Sequence, residues 1–363
     1  MIAPTRLSRY LSKTFITSFI GLTLILMAII FVFEFGELLR RAANQEAATL
    51  NIALIMAALK LPYTGEILFP FAILFGAIHT CWKLNRTQEL VIMRSAGLSV
   101  WQFLGPVVLA AICVGALATG IVNPIASATL SKFRQMETVY FRKNSNLVSV
   151  SQTGIWLRQP AEDGYALLHA STLDQKQWRM DNVTVYTFDD RDNFKSRIDS
   201  PETWLKDGYW DVKDALVNTR GGTATETGVH IPTELTARKI EDTFADPDMI
   251  SFWNIPRYVK IMEETGFPST RLRIHFQSLL AQPLLFAAMV LLAATFSLRP
   301  PRFRGTGIMV ALGAATGFFV FFMESILGAF GASQKIPVFL AAWTPAVVGT
   351  LLGITALLHM EDG

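Results

Sequence analysis

The side chains of this chain with chemistry to offer are charges set in or beside long apolar runs. A charge in hydrocarbon is costly and normally faces protein or a wet cavity. Glu34 and Glu37 close the first apolar run, Lys60 and Glu66 enter the second, and Glu324 lies deep in the fifth. Arg40 and Arg41 follow the first run, while Arg271, Arg273 and His275 precede the fourth. Guanidinium groups grip phosphate bidentately, so a cationic rim over an apolar cavity suits a phosphorylated lipid. Snorkelling to the phosphates of the bilayer itself is an equal reading of these arginines. Glu34, Glu37, Lys60 and Glu66 also fit simple placement at headgroup level. For Glu324 a buried polar contact or a place on a pathway is expected.

Catalytic signatures are missing. The sequence has no phosphate-binding loop ending in Gly-Lys-Ser/Thr, so ATP hydrolysis is not expected of this chain. It has no Gly-x-Ser-x-Gly elbow and no His-Glu-x-x-His helix. His79, His169, His230, His275 and His359 are scattered, and no metal or cofactor is expected. Asp189, Asp190 and Asp192 read as a solvated turn. A net charge of +3 does not point to nucleic acid. Cys81 and Cys113 both fall in apolar runs, which leaves no disulfide framework.

The elements that must position these residues are membrane spans. Of the 363 residues, 51% are hydrophobic and only 17% are charged, a membrane composition. Crossing hydrocarbon takes about 20 apolar residues. Six runs suffice: Phe15–Phe33, Tyr63–Trp82 (with a helix from Ile52 leading in), Phe103–Val122, Leu279–Ser297, Ile308–Leu327 and Pro337–Leu358. The expected plan is three spans in residues 1–122, a soluble insert over 123–275, and three spans in 276–363. Arg6, Arg9 and Lys13 precede span one; Lys83, Arg86 and Arg94 follow span two; Arg299, Arg302 and Arg304 separate spans four and five. Six spans put all three groups on one side, the cytoplasm by the positive-inside rule. Both termini are then cytoplasmic and the insert lies outside, which in a bacterium is the periplasm.

The insert reads as β. Val183–Phe188 is β-branched and aromatic, Gly154–Leu157 and Ala166–His169 are further short strands, and Asp207-Gly208 joins Thr203–Lys206 to Tyr209–Val212 as a hairpin. A sandwich or jellyroll is expected. A helix over Ile255–Thr265 carries Pro256 in its first turn and stops at Gly266. Gly313-x-x-x-Gly317 and Gly349-x-x-x-Gly353 have the spacing for close helix contact.

Between spans two and three lies a polar elbow, Asn85–Trp101. Asn85 reads as its N-cap with Gln88 reaching back, and Gly97 as a left-handed stop. About three turns lie between, with Leu90, Val91 and Met93 on one side and Glu89 and Arg94 elsewhere. Such a helix is marginal alone, so it rests on the headgroups or docks on a cytoplasmic partner.

This layout resembles the LptF/LptG permeases of lipopolysaccharide export. The likeness spans essentially the whole chain. It rests on the elbow from Arg86 to Gly97 and on Leu61-Pro62 with Leu68-Phe69-Pro70. Gly154–Arg158, the segment Phe252–Tyr258 and Gln282-Pro283-Leu284 resemble the LptG branch. The resemblance implies an α-helical inner-membrane protein of six transmembrane helices with an inserted periplasmic all-β, jellyroll-like domain. It implies an LptF-like paralogous permease as partner, with a dimer of an LptB-like cytoplasmic ATPase. A single-span LptC-like subunit and an LptA-like periplasmic bridge are implied too, and lipopolysaccharide is the cargo. Glu89 matches the acidic position of the family's coupling helix, which also carries Arg94. Arg40 and Arg41 match a basic pair expected to face lipid phosphates. Glu34 departs from the better-known LptG pattern, which is basic there, and implies a different rim charge or a differently phosphorylated lipid. The readings set against transport are an integral-membrane enzyme acting on lipid intermediates and an anchor or sensor presenting the β domain.

Overall fold

The computed structural model describes residues 5–43, 49–141, 147–151, 154–161, 164–174, 177–189, 193–219, 222–233, 246–264, 268–298 and 306–361. They form a helical unit (1–134, 251–253 and 273–363) and a β unit (135–250 and 254–272). Arg299, Arg302, Arg304 and Gly266 lie outside the described residues.

Six helices of the helical unit are long and apolar enough to cross a membrane. They begin with α1 (Thr5–Ala42) and α2 (Leu50–Arg86). After the elbow helix α3 (Glu89–Ser95), α4 (Val100–Leu117) passes through a π-turn (Ala118–Val122) into α5 (Asn123–Phe141). The last three are α7 (Thr270–Ser297), α8 (Thr306–Ala332) and α9 (Val338–Glu361). Every helix overruns its apolar run, because hydropathy marks the part in hydrocarbon and helical hydrogen bonding continues beyond it. The largest overrun follows the third apolar run: past Val122 the chain continues as helix to Phe141. Ala126, Leu130 and Phe133 give α5 a buried stripe at helical spacing.

Small residues set the packing. A Cβ on Gly313 would lie 2.4 Å from Ile78 Cδ1, and one on Gly317 would lie 3.0 Å from the Phe71 ring, so α8 sits directly against α2. Gly349 and Gly353 bring α9 equally close to Ala288 and Leu291 of α7. The most apolar stretch of α7 is 67% buried against 17% for those of α1 and α8. Therefore α7 is the central helix, while α1 and α8 turn apolar flanks outward, among them Leu24, Phe33, Phe318 and Phe322.

The elbow differs from its sequence reading in three respects. Asn85 caps nothing, since α2 continues through it to Arg86 and the Thr87 hydroxyl bonds back to Lys83 O at 3.0 Å. Gln88, in the left-handed region at φ 61°, starts a helix of seven residues rather than three turns. Val91 is exposed together with Ile92, and only Leu90 and Met93 enter the core. The expected stop is present: Gly97 has φ +79°, Leu98 N donates to Met93 O and Gly97 N to Arg94 O. That pair of bonds closes the helix in a Schellman turn.

The β unit holds eight strands among the described residues: β1 (Leu147–Ser151), β2 (Gly154–Ala161), β3 (Gly164–Ala170), β4 (Thr172–Asp174), β5 (Arg179–Phe188), β6 (Phe194–Lys206), β7 (Tyr209–Thr219) and β8 (Gly222–Pro232). All pairings are antiparallel, in the order β1-β2-β3-β5-β6-β7-β8, with β4 beside β5. The path curls over itself. Gln159 of β2 accepts from the indole of fully buried Trp210 on β7 (2.9 Å) and from Thr233 (2.7 Å), and donates to Pro232 O. Strands far apart in the sheet therefore meet across a core of Leu157, Leu168, Met180, Val185, Trp210 and Val212. The anticipated hairpin joins β6 to β7 through Gly208 at φ +87°. Pro201, which has no N–H to give a ladder, sits mid-strand in β6. Pairing skips it on both sides, where Asn182 and Asp214 adopt positive φ, and the Ser200 hydroxyl donates to Lys213 O at 2.6 Å instead. The helix α6 (Ile255–Glu264) follows, with Pro256 in its first turn.

Candidate functional site

Polar groups of the helical unit gather in three places. The first is the elbow. Glu89 accepts from Thr87 Oγ1 (2.9 Å) and from the Tyr10 hydroxyl of α1 (3.2 Å), so α3 is tied to the start of span one. Leu90 and Met93 root it in the core. Val91, Ile92 and Arg94 are left exposed, an apolar surface with a cation beside it.

The second place is the far end of α1. Lys60 of α2 pairs with Glu34, and its ammonium stands 5.4 Å from the centre of the Phe133 ring. One helical turn on, Glu37 holds Arg40 (2.9 Å) and Arg41 (2.9 Å). Ile30, Val32, Phe33, Gly36, Glu34, Glu37 and Arg40 line an open, largely apolar groove here. Five of the charges singled out in the sequence thus come together, and within the chain each cation already has a carboxylate. Arg271 and Arg273 are exposed on the first turn of α7.

The third place is the π-turn. Glu66 accepts from Asn123 Nδ2 at 3.1 Å, and Asn123 Oδ1 accepts from Phe252 N at 2.8 Å. Thr119 Oγ1 lies 2.9 Å from both Leu279 O and Gln282 Oε1, and the Trp253 indole donates to Gly120 O at 3.0 Å. Sequence reasoning found Glu66 and missed Asn123 and Thr119. A polar residue in line with the stripe Ala126–Leu130–Phe133 was the available signal. Glu324, half-exposed on α8 beside exposed Phe321 and Phe322, makes no hydrogen bond or ion pair among the described residues. No cluster of three His, Cys, Asp or Glu residues able to hold a metal occurs among the described residues.

The comparisons with known proteins agree with this architecture. Residues 9–359 match the family described as "Lipopolysaccharide export system permease LptF/LptG". The chain is 25% identical over 364 residues to the lipopolysaccharide export system permease protein LptG of Escherichia coli strain K12, covering 97% of this chain and 98% of that protein. It is 24% identical over 357 residues to LptG of Haemophilus influenzae strain Rd, covering 94% and 95%. Six apolar helices, an antiparallel β insert between the third and fourth, and a family match over nearly every residue place this chain in the LptF/LptG family: it is a multi-pass inner-membrane permease of lipopolysaccharide export, a transport subunit and not an enzyme.

Proposed function

We propose that the chain works as one of two paired permeases, driven from the cytoplasm by a separate ATPase dimer. Its partner is an LptF-like permease, and an LptC-like single-span subunit and an LptA-like bridge receive the lipid beyond. Both termini and α3 face the cytoplasm, and the β unit stands in the periplasm. The basic groups at Arg6–Lys13, at Lys83–Arg94 and at Arg299–Arg304 support that orientation.

The observation that carries the reading is the build of α3. Two buried side chains and a Tyr10–Glu89 bond fix it to spans one and two, and its other side is apolar and uncovered. In this reading Glu89 and Arg94 are the coupling contacts to the ATPase, and Val91 and Ile92 seat in it. A push on α3 then reaches α1 directly. At the other end of α1, Arg40 and Arg41 receive lipid phosphate. A phosphate group competes with Glu37 for both guanidiniums through bidentate bonds of the same kind. Arg271 and Arg273 serve as further phosphate contacts. The Glu34–Lys60 pair withdraws one cation from the rim, which favours a cargo with fewer phosphates.

The test is Glu89→Lys in the assembled transporter. Expected are normal amounts of the chain in the membrane, loss of ATPase on pull-down, and loss of lipopolysaccharide export. Wild-type export together with wild-type ATPase recovery would remove α3 from the coupling role.

A further inference from the structure

We propose that Asn123 is a positioning residue for lipid export, the centre of a polar clasp that binds the bendable levels of spans two, three and four to one another and to the segment Ser251–Trp253. The proposal rests on the export reading above and adds to it the layer at which the helical unit bends.

Each of the three spans has its helical ladder interrupted, and the interruptions are joined. In α2, Glu66 lies midway between Pro62 and Pro70. Proline lacks the N–H that would bond four residues back, so Pro70 leaves the Glu66 carbonyl outside the ladder. In span three the interruption is the π-turn Ala118–Val122, a rare form that recurs at functional positions. In α7 it is Pro283, which releases the carbonyl of Leu279. That carbonyl is the one Thr119 reaches at 2.9 Å. The backbone of Pro283 is also where α4 passes close, since a Cβ on Gly115 would lie 2.6 Å from Pro283 Cα. Asn123 makes the remaining link, giving its amide N–H to the Glu66 carboxylate and taking the Phe252 N–H on its oxygen. A backbone N–H only donates, so the amide orientation is fixed.

Asn123 and Thr119 are both almost fully buried. Polar groups in an apolar interior cost stability unless bonded, and apolar side chains would hold three helices together with less penalty. What the polar set adds is direction: each bond is satisfied in one register only. Ser251–Trp253 is three residues of the helical unit flanked in sequence on both sides by the β unit. Phe252 stacks on Phe276 of α7 at 5.3 Å, so this segment is held by spans three and four together. A bend of α2 at Glu66 is thereby passed through Asn123 to the segment that the chain sends back from the β unit.

The test uses the complete transporter in proteoliposomes with purified lipopolysaccharide, reading ATP hydrolysis and lipid export side by side. Asn123→Leu is expected to leave assembly and ATP hydrolysis intact and to lower lipid exported per ATP about tenfold. Asn123→Asp faces Glu66 with a second carboxylate and is expected to do the same. Adding Glu66→Gln to Asn123→Asp restores a donor and an acceptor in exchanged places, and export should return to within about twofold of wild type. Wild-type export per ATP in Asn123→Leu and Asn123→Asp would overturn the proposal. So would a double variant no better than Asn123→Asp. If Asn123→Leu does not accumulate, recovery in the double variant alone decides, and no recovery counts against the clasp. Export by the wild-type transporter, measured in parallel, tests the export reading separately from the variant ratios.

Discussion

Gly115→Ala is a one-atom change whose cost can be worked from the contact between α4 and α7. The new Cβ would stand 2.6 Å from Pro283 Cα, 3.0 Å from Pro283 N and 3.2 Å from Phe286 Cδ2. Non-bonded carbons settle at about 3.5–4.0 Å, and two of these neighbours are backbone, so the helices must part by roughly 1 Å. Overpacking of this kind costs about 1–3 kcal/mol. Thr119, one turn further along the same seam, bonds Leu279 O at 2.9 Å. The same parting stretches that bond beyond reach, costing about 1 kcal/mol more. Alanine's better helix propensity returns about 1 kcal/mol, which leaves a net loss of about 1–3 kcal/mol. Gly105→Ala, on the same helix with nothing within 4 Å, gains the propensity without the clash. The assay is thermal unfolding of the detergent-solubilised chain. Gly115→Ala should melt about 3–10 °C below wild type, and Gly105→Ala at or above it. Equal melting of the two variants would refute the close α4–α7 contact.

Two further perturbations probe the rim and the β unit. Glu37→Gln removes the carboxylate that Arg40 and Arg41 share, so retention of phosphorylated lipid by the purified transporter should rise, by no more than about fivefold for groups this exposed. The gain should shrink with added salt; unchanged retention at low salt would argue against a phosphate role for the pair. In the β unit, Lys206 stands 3.0 Å from Asp211 and holds its carboxyl below the usual carboxylate range. A depressed native pKa stabilises above the unfolded value of about 3.9 and is lost as pH falls through the native one. Lys206→Met should therefore weaken the β unit at neutral pH, with the difference from wild type closing below about pH 4. Tryptophan fluorescence during denaturant unfolding at several pH values would follow it, and a pH-independent difference would exclude the ion pair as its cause.

The spans were legible because hydrocarbon imposes a long apolar run, and that signal survives in any packing. Their ends were not, as α5 illustrates. Asn123 is polar and reads as the exit from the membrane, yet its bonds to Glu66 and Phe252 replace water, and the helix runs on to Phe141. No local rule announces a partner 57 or 129 residues away. The strands recognised were those with a buried face, such as β3 and β5, whose alternation is written in the residues. β8 escaped notice because, exposed along nearly its whole length, it has no apolar alternation to read. The long β6 was seen only at its end, since Pro201 and the charges before it mimic a loop. The register skips at Asn182 and Asp214 that accommodate the proline are tertiary. At the rim, the sequence placed the charges at the right end of α1 but could not show that Glu37 already occupies both arginines.

The elbow helix has seven residues and two rooted side chains. Nothing that short keeps its shape unaided, so its form is lent by the ends of spans one to three. It consequently has no slack with which to absorb a displacement. In the coupling role proposed above, a shove on it passes straight into the feet of those spans, where a part with a more self-sufficient fold would waste the stroke.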